Sequence, residues 1–392
     1  MNQINHPLMA ENIDEQDIQC IQEFLSQRPI PKLTNGPKVL EFEKEWSKWL
    51  GVKYSLFVNS GSSANELTML AIKYLYGVGE VIVPPLTWVS DISAVIHANM
   101  KPVFCDINFG NLSFDEQKLF KLITPSTKAI FLTHVLGING LSQRILDICK
   151  ENDILLIEDV CESHGTTFKN KKCGSFGFAS NFSFYFAHHM STIEGGMVCT
   201  NNRKFYEVLR CLRSHGMLRE STHEVFKKQI LKENPTLNQD FVFIAPSHNF
   251  RSTEINAVLG LSQLKKLDSN NKLRQENFKY FYDGLRPDLY HKELNLQGQC
   301  NYAFIVILRN GSFKLRDKIE KTLNKNGIEF RRGLSGGGSQ LKQPYLKSIV
   351  KINEEDFPRM EFIHHFSWYI GNYPSLTKEK IDNLLNILNN IK

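Results

Sequence analysis

Alternation of short apolar runs with helical patterns constrains this chain more than any other feature. Ser55–Val58, Val81–Val83, Pro102–Asp106, Ala129–Thr133, Ile154–Ile157 and Met197–Thr200 read as strands, and stretches such as Ala64–Tyr76 and Ser142–Asn152 between them read as helices. That order is the signature of an α/β sheet. From about Glu254 the pattern changes: Glu254–Leu285 reads as one or two long helices, Tyr302–Leu308 as a strand, and Lys314–Asn326 and Thr377–Asn390 as helices. The 392 residues suffice for two domains. The expected division is a large α/β domain over 1–253 and a smaller α+β domain over 254–392. Within the second, Leu334-Ser335-Gly336-Gly337-Gly338-Ser339 is either a plain turn or a loop that touches substrate.

Composition narrows the function classes. With 42% hydrophobic and 22% charged residues the chain reads as a soluble globular protein. The net charge is +6 and the lysines are scattered, which argues against nucleic-acid binding, although a weak positive field suits an anionic ligand. Met1-Asn2-Gln3-Ile4-Asn5-His6 carries no secretory pattern, and no uncharged run approaches the ~18–20 residues that span a bilayer, so no membrane role is expected. The eight cysteines form no CxxC pair and no regular framework, which is the usage of reduced thiols in the cytoplasm.

Three segments carry candidate chemistry. Asn59-Ser60-Gly61-Ser62-Ser63-Ala64-Asn65-Glu66 follows a strand and opens a helix, and Ser63 with Glu66 fits a capping box. Small residues at a helix N-terminus leave amides free for a phosphate. Ile154-Leu155-Leu156-Ile157-Glu158-Asp159 is a buried strand ending in carboxylates, and open α/β sheets bind ligands at the carboxyl ends of their strands. Ser183-Phe184-Tyr185-Phe186-Ala187-His188-His189 leads into Glu194-Gly195-Gly196. An imidazole, with an intrinsic pKa of about 6.5, can take a proton near neutrality but cannot form a stable imine with an aldehyde. Adjacent His188 and His189 are expected to point to opposite sides, so no metal site is expected from the pair. Gly77-Val78-Gly79 lacks the rest of a Gly-x-Gly-x-x-Gly fingerprint, which argues against a dinucleotide oxidoreductase.

Together these segments resemble the DegT/DnrJ/EryC1/StrS sugar aminotransferases, which use pyridoxal phosphate (PLP). The resemblance runs from the Ser60 loop through Arg251 and more weakly beyond it. It implies an aspartate-aminotransferase-like fold (PLP fold type I), with a mostly parallel sheet in the large domain. In that family the cofactor lysine lies six residues before the glutamate of Glu-Gly-Gly. Here the position holds His188, with His189 as the alternative. The resemblance assigns Gly61, Ser62 and Ser183 to the cofactor phosphate and Asp159 to the pyridine nitrogen. Trp88, in Pro84-Pro85-Leu86-Thr87-Trp88, would stack on the ring, and Glu162 takes the Gln/Glu place of Glu-Asp-x-x-(Gln/Glu)-x-x-Gly. Asn249, in Ser247-His248-Asn249-Phe250-Arg251, matches an asparagine that crosses a homodimer interface to the neighbour's phosphate, though Ser-His stands where the family has Gly-Tyr. His215 and Arg219 fall in a substrate-side segment, His215 for proton traffic and Arg219 for the nucleotide phosphates.

Histidine in place of the lysine marks the sugar 3-dehydratase branch of the family. The implied reaction removes the C3 hydroxyl of a nucleotide-linked 4-keto-6-deoxy sugar, either a GDP-linked hexose or heptose or a CDP-linked hexose. The cofactor would enter as pyridoxamine phosphate (PMP), or be made in place from PLP and L-glutamate. His188 is then the expected base, and Asp159 keeps the ring an electron sink. Some related dehydratases hold an iron–sulfur cluster partly through a Cys-x-Cys pair; no such pair occurs here, so no cluster is expected. A homodimer with shared active sites completes the expectation. The rivals are an ordinary aminotransferase that tolerates histidine and a regulatory protein that kept the fold without catalysis.

Overall fold

The structure, a computed structural model, describes residues 4–10 and 12–391. The strands of its N-terminal two-thirds are β1 (Tyr54–Val58), β2 (Glu80–Val83), β3 (Lys101–Phe104), β4 (Thr127–Thr133), β5 (Leu155–Asp159), β6 (Thr167–Phe168), β7 (Lys171–Lys172), β8 (Ala179–Ser183) and β9 (Gly196–Thr200). Strands β6 and β7 pair as a small separate hairpin. The other seven form one sheet in the order β1-β9-β8-β5-β4-β2-β3. From β8 to β3 neighbouring strands run parallel, and β9 runs antiparallel to both β1 and β8.

Helices cover both faces, which is why the strands read as apolar throughout. Strand β1 shows the division. Leu56 and Val58 pack with Leu67, Ile92 and Leu209 on one side. Phe57, between them, faces Phe42, Trp46 and Ala257 on the other. The sequence reading placed the ends of the expected strands within two residues of those observed but had no strand at β8. Its sequence, Ala-Ser-Asn-Phe-Ser, is polar yet fully buried. Hydrogen bonds explain this: Ser180 Oγ donates to the Gly174 carbonyl (2.6 Å), and Asn181 Oδ1 accepts from Thr68 Oγ1 (2.7 Å).

The C-terminal third builds a second sheet from β10 (Ala303–Ile307), β11 (Phe330–Arg332) and β12 (Ser367–Gly371), antiparallel in the order β10-β12-β11. Helices Phe313–Lys325 and Lys378–Asn389 pack on it. One helix of 31 residues, Glu254–Gly284, starts on the large sheet and ends against the terminal helix, where Gly284 meets Leu385. The N-terminal segment also lies on the small sheet: His6 bridges Ile328, and His6 Nε2 donates to the Gly371 carbonyl (2.8 Å). Gly137 lets the two units approach. Its φ is +88°, a Cβ there would fall 2.1 Å from the Cys300 carbonyl oxygen, and its own carbonyl accepts from Cys300 N (2.9 Å). Among the described residues no helix is long and apolar enough to cross a membrane.

Candidate active site

A cavity of about 380 Å³ opens at the carboxyl ends of β4, β5 and β8, where an open α/β sheet offers its binding crevice. Gly61, Ser62, Trp88, Asp159, Glu162, Ser183 and His188 all line it, together with Tyr302, Ser335 and Tyr369 from the small unit. A larger groove of about 740 Å³ lies among the helices Glu15–Ser26, Pro37–Leu50 and Glu254–Gly284. Its charged wall of Lys38, Glu41, Glu45 and Lys48 is paired within itself, so the chemistry belongs to the first cavity.

At one end the helix Gly61–Tyr76 points its N-terminus into the cavity. Ser60 caps it, its Oγ accepting from Ser63 N (3.0 Å). This corrects the expected capping box: the helix begins at Gly61, so Ser63 already lies inside its first turn, and Glu66 instead pairs with His97 Nδ1 (3.0 Å). The earlier start leaves the Gly61 and Ser62 amides in the first, unpaired turn. Gly61 is also needed for space, because a Cβ there would come 2.5 Å from Ser183 Cβ and 3.2 Å from Cys161 Sγ. Free amides beside a serine hydroxyl fit an anionic phosphate.

At the other end Asp159, the last residue of β5, is buried and accepts from Cys161 N through Oδ1 (2.8 Å). A second acid, which the sequence reading missed, stands behind it. Asp91 is fully buried and accepts from Asn65 Nδ2 (2.6 Å), Thr133 Oγ1 (3.0 Å) and Thr87 Oγ1. Burial, and then the neighbouring Asp159 charge, push Asp91 well above the usual carboxylate range. The two carboxyls thus share one buried site, with Asp159 on the cavity side and Asp91 behind it. A buried carboxylate at this depth fits a protonated pyridine nitrogen. Trp88 adds a flat ring at the rim, 53% exposed. The donor set thus fits PLP or PMP at both ends.

Between the ends lies His188, on a turn after β8 in which His188 N donates to the Tyr185 carbonyl (3.0 Å). Burial lowers its pKa to about 4, the Asp159 charge pulling it up and Arg274 pushing it down. The ring is thus a neutral base at neutral pH, well below the intrinsic value used above. A turn carries the two histidines, and only His188 lines the cavity, although both rings come within about 6 Å of Tyr302, at 5.8 and 6.1 Å. His189 is withdrawn from the cavity and donates through Nε2 to the Cys300 carbonyl (2.8 Å). No lysine is among the residues lining the cavity.

Glu162 closes the floor. Its Oε2 accepts from Leu136 N (3.1 Å) and its Oε1 from Ser335 Oγ (3.0 Å), which ties the glycine loop of the small unit to the large one. Burial raises its pKa to about 7. Gly336 in that loop has φ +62°, and a Cβ would meet the Thr87 carbonyl oxygen at 2.2 Å. Ser335 belongs to the loop read as either a turn or a substrate contact, whereas Tyr302 and Tyr369 went unread as site residues, since nothing local marks a residue that reaches a distant strand end.

Asn249, His215 and Arg219 are not brought to this cavity within the chain. They form a separate exposed patch: Ser214 bridges Asn249, His215 N donates to the His248 carbonyl (2.9 Å), and the Arg219 guanidinium lies 5.2 Å from the Phe241 ring centre. Elsewhere His134, Glu158 and Cys173 converge, their ligand atoms within 4.8 Å. Their lone pairs are committed. Glu158 accepts from Gly174 N, Phe176 N, Gly177 N and His134 Nε2, and His134 Nδ1 accepts from Gly140 N. This is a hydrogen-bond hub that holds the start of β8 to the end of β5.

Comparison with known proteins agrees with this geometry. The DegT/DnrJ/EryC1/StrS aminotransferase family model matches residues 11–389. A GDP-4-keto-6-deoxy-D-mannose 3-dehydratase of Yersinia pseudotuberculosis is 32% identical, over 98% of each chain. A GDP-perosamine synthase of Caulobacter vibrioides is also 32% identical, over 76% of each chain. The crystal structure of GDP-4-keto-6-deoxymannose-3-dehydratase with a trapped PLP-glutamate geminal diamine superposes with a TM-score of 0.86 at 29% identity, covering 98% of this chain and 100% of that one. The fold is thus PLP fold type I, and the chain belongs to the DegT/DnrJ/EryC1/StrS aminotransferase family.

Proposed function

We propose that this chain is a PLP/PMP-dependent 3-dehydratase that removes the C3 hydroxyl of a nucleotide-linked 4-keto-6-deoxy sugar, with L-glutamate as amino donor. The observation that carries the reading is the cavity's base: His188 lines it and no lysine does. Equal identity to a dehydratase and to a perosamine synthase leaves that side chain as the discriminator. A GDP-linked 4-keto-6-deoxymannose or the corresponding heptose is the favoured substrate.

Bound in the cavity, the cofactor supplies an amine for the sugar ketone and an electron-withdrawing ring. Gly61, Ser62 and Ser183 hold its phosphate, and Asp159 pairs with its ring nitrogen. Trp88 and Tyr302 limit water at the reacting face. His188 takes the proton at Nε2, the ring nitrogen left open to the cavity, and keeps it there on a short stem. A long lysine amine could carry that proton on to sugar C4 and complete a transamination. Imidazole is the poorer shuttle, so loss of the C3 hydroxyl wins. Asn249, His215 and Arg219 serve the neighbouring cavity of a homodimer in this reading, which accounts for their place on a surface patch.

The test is mass spectrometry of purified protein with PLP, L-glutamate and GDP-4-keto-6-deoxymannose. A sugar lacking its C3 oxygen, formed with ammonia and 2-oxoglutarate, is expected. A stable amino sugar would overturn the reading in favour of an aminotransferase. Formation of 2-oxoglutarate with the sugar untouched would keep the cofactor chemistry and reject this substrate.

A further inference from the structure

Behind His188 sits an arrangement that packing does not explain. His164 is fully buried in an aromatic box of Trp46, Phe182 and Phe184, with ring centroids 5.7, 5.6 and 5.7 Å away. Among the described residues neither of its ring nitrogens completes a full hydrogen bond, the Ser183 carbonyl being the one acceptor close to either. A phenylalanine would fill such a box without stranding two polar atoms, and stranded buried polar atoms cost stability. The His189 ring stacks on His164 at 5.3 Å and 27°, and the His188 ring lies 6.2 Å from it. The Nδ1 atoms of His188 and His189 are likewise buried and unpartnered.

The tautomers follow from the partners. His189 donates through Nε2 to Cys300, so its Nδ1 is a lone pair. For His188 to act as a base at Nε2, its proton must sit on Nδ1 and needs an acceptor behind the ring. No direct hydrogen bond joins these nitrogens among the described residues, and centroid spacings of 5.3 and 6.2 Å are compatible with one bridging water among three polar neighbours. Such a water accepts from His188 Nδ1–H and donates to His189 Nδ1 and to one nitrogen of His164. The other His164 nitrogen carries its proton toward the Ser183 carbonyl.

We propose that His164 is a positioning residue for His188: through one buried water it holds the Nδ1 proton of His188 and so presents the Nε2 lone pair to the cavity. The charged and titratable groups facing the cluster are Asp159 from β5, Arg274 from the long helix, the phenols of Tyr185 and Tyr302, and the histidines themselves. Among the described residues the buried Arg274 side chain donates only to carbonyl oxygens and Met9 Sδ, a positive charge that disfavours any second one on these rings. The proposal deepens the base role given to His188 and rests on that reading for its catalytic consequence alone.

Long-range ¹H–¹⁵N histidine spectra of the cofactor-free protein test it. The wild type is expected to show neutral His188 as the Nδ1–H tautomer near neutral pH. His164→Phe is expected to fold with a Tm at or above wild type while His188 loses that signature and mixes tautomers. His164→Gln, which can still accept and donate, is expected to retain it. An Nε2–H tautomer of His188 in the wild type overturns the proposal whether or not any variant folds. So does an unchanged signature in His164→Phe. These spectra need no turnover, so a failed dehydration assay leaves the relay standing, and an unmoved His188 leaves the dehydratase reading standing.

Discussion

Glu162→Gln isolates the energetics of the cavity floor. In the folded protein burial raises the Glu162 carboxyl to about 7, against an ordinary value of 4.5. Between those pH values the unfolded chain has released the proton while the folded protein keeps it. Folded protein therefore binds more protons there, and stability falls as pH rises through the window. The gap corresponds to about 3 kcal/mol, absent below the lower value and fully present above the higher one. Glutamine has nearly the same shape and no charge. Its carbonyl can still accept from Leu136 N, and the Ser335 hydroxyl can turn to accept from its amide. The variant should lie within about 1 kcal/mol of wild type at pH 5 and exceed it by about 3 kcal/mol at pH 8. Urea unfolding midpoints of cofactor-free protein at the two pH values, at fixed protomer concentration, measure this. A gap of the same size at both pH values would refute the reasoning, as would a variant less stable at both.

Other outcomes follow from the cavity. His188→Lys should retain PLP covalently after borohydride reduction and lose dehydration; unchanged dehydration, read by mass spectrometry, would sink the role given to His188. Asp159→Ala removes the carboxylate facing the ring nitrogen and should lower turnover by at least about a hundredfold; full turnover would count against the assignment. Gly61→Ala should destabilise by about 1–3 kcal/mol despite alanine's better helix propensity, because the new Cβ overlaps Ser183. Its PLP affinity, titrated by Trp88 fluorescence quenching, should fall in parallel, and a variant that binds PLP normally would remove the phosphate from this helix end.

How much of this was legible in the sequence depended on whether the signal was local. Apolar runs gave the strands, since strands covered on both faces carry no polar side to blur the pattern. The offset from Glu194 singled out His188, and the geometry places that residue on the cavity wall. Strand β8 was invisible because its serines and asparagine are buried through hydrogen bonds to partners up to 113 residues away. Asp91 reads as an ordinary acid in a first helical turn, and only Thr133 on β4 and Asn65 on the facing helix reveal it as buried. The cap fell to Ser60 and not Ser63 because the helix starts at Gly61, and Ser60, which lacks a Glu or Gln three residues on, carries no capping-box signature to announce it. Tyr302, Tyr369 and Ser335 join the cavity through Gly137 and the glycine loop, contacts that span well over a hundred residues.

The long helix Glu254–Gly284 works as a strut. At 1.5 Å per residue its 31 residues run about 46 Å. Its first carboxylate, Glu254, grips the amides of Gly36, Lys38 and Val39 at 3.1, 3.0 and 2.9 Å and pins the opening turn of the helix Pro37–Leu50. Midway along, Arg274 stands behind the histidines and donates to the carbonyls of Tyr302 and Asn372 in the small unit. Displacing that unit would pull on the same guanidinium that sets the charge behind His188. One side chain thus serves both as a tie between the two units and as a positive charge behind the cavity's base.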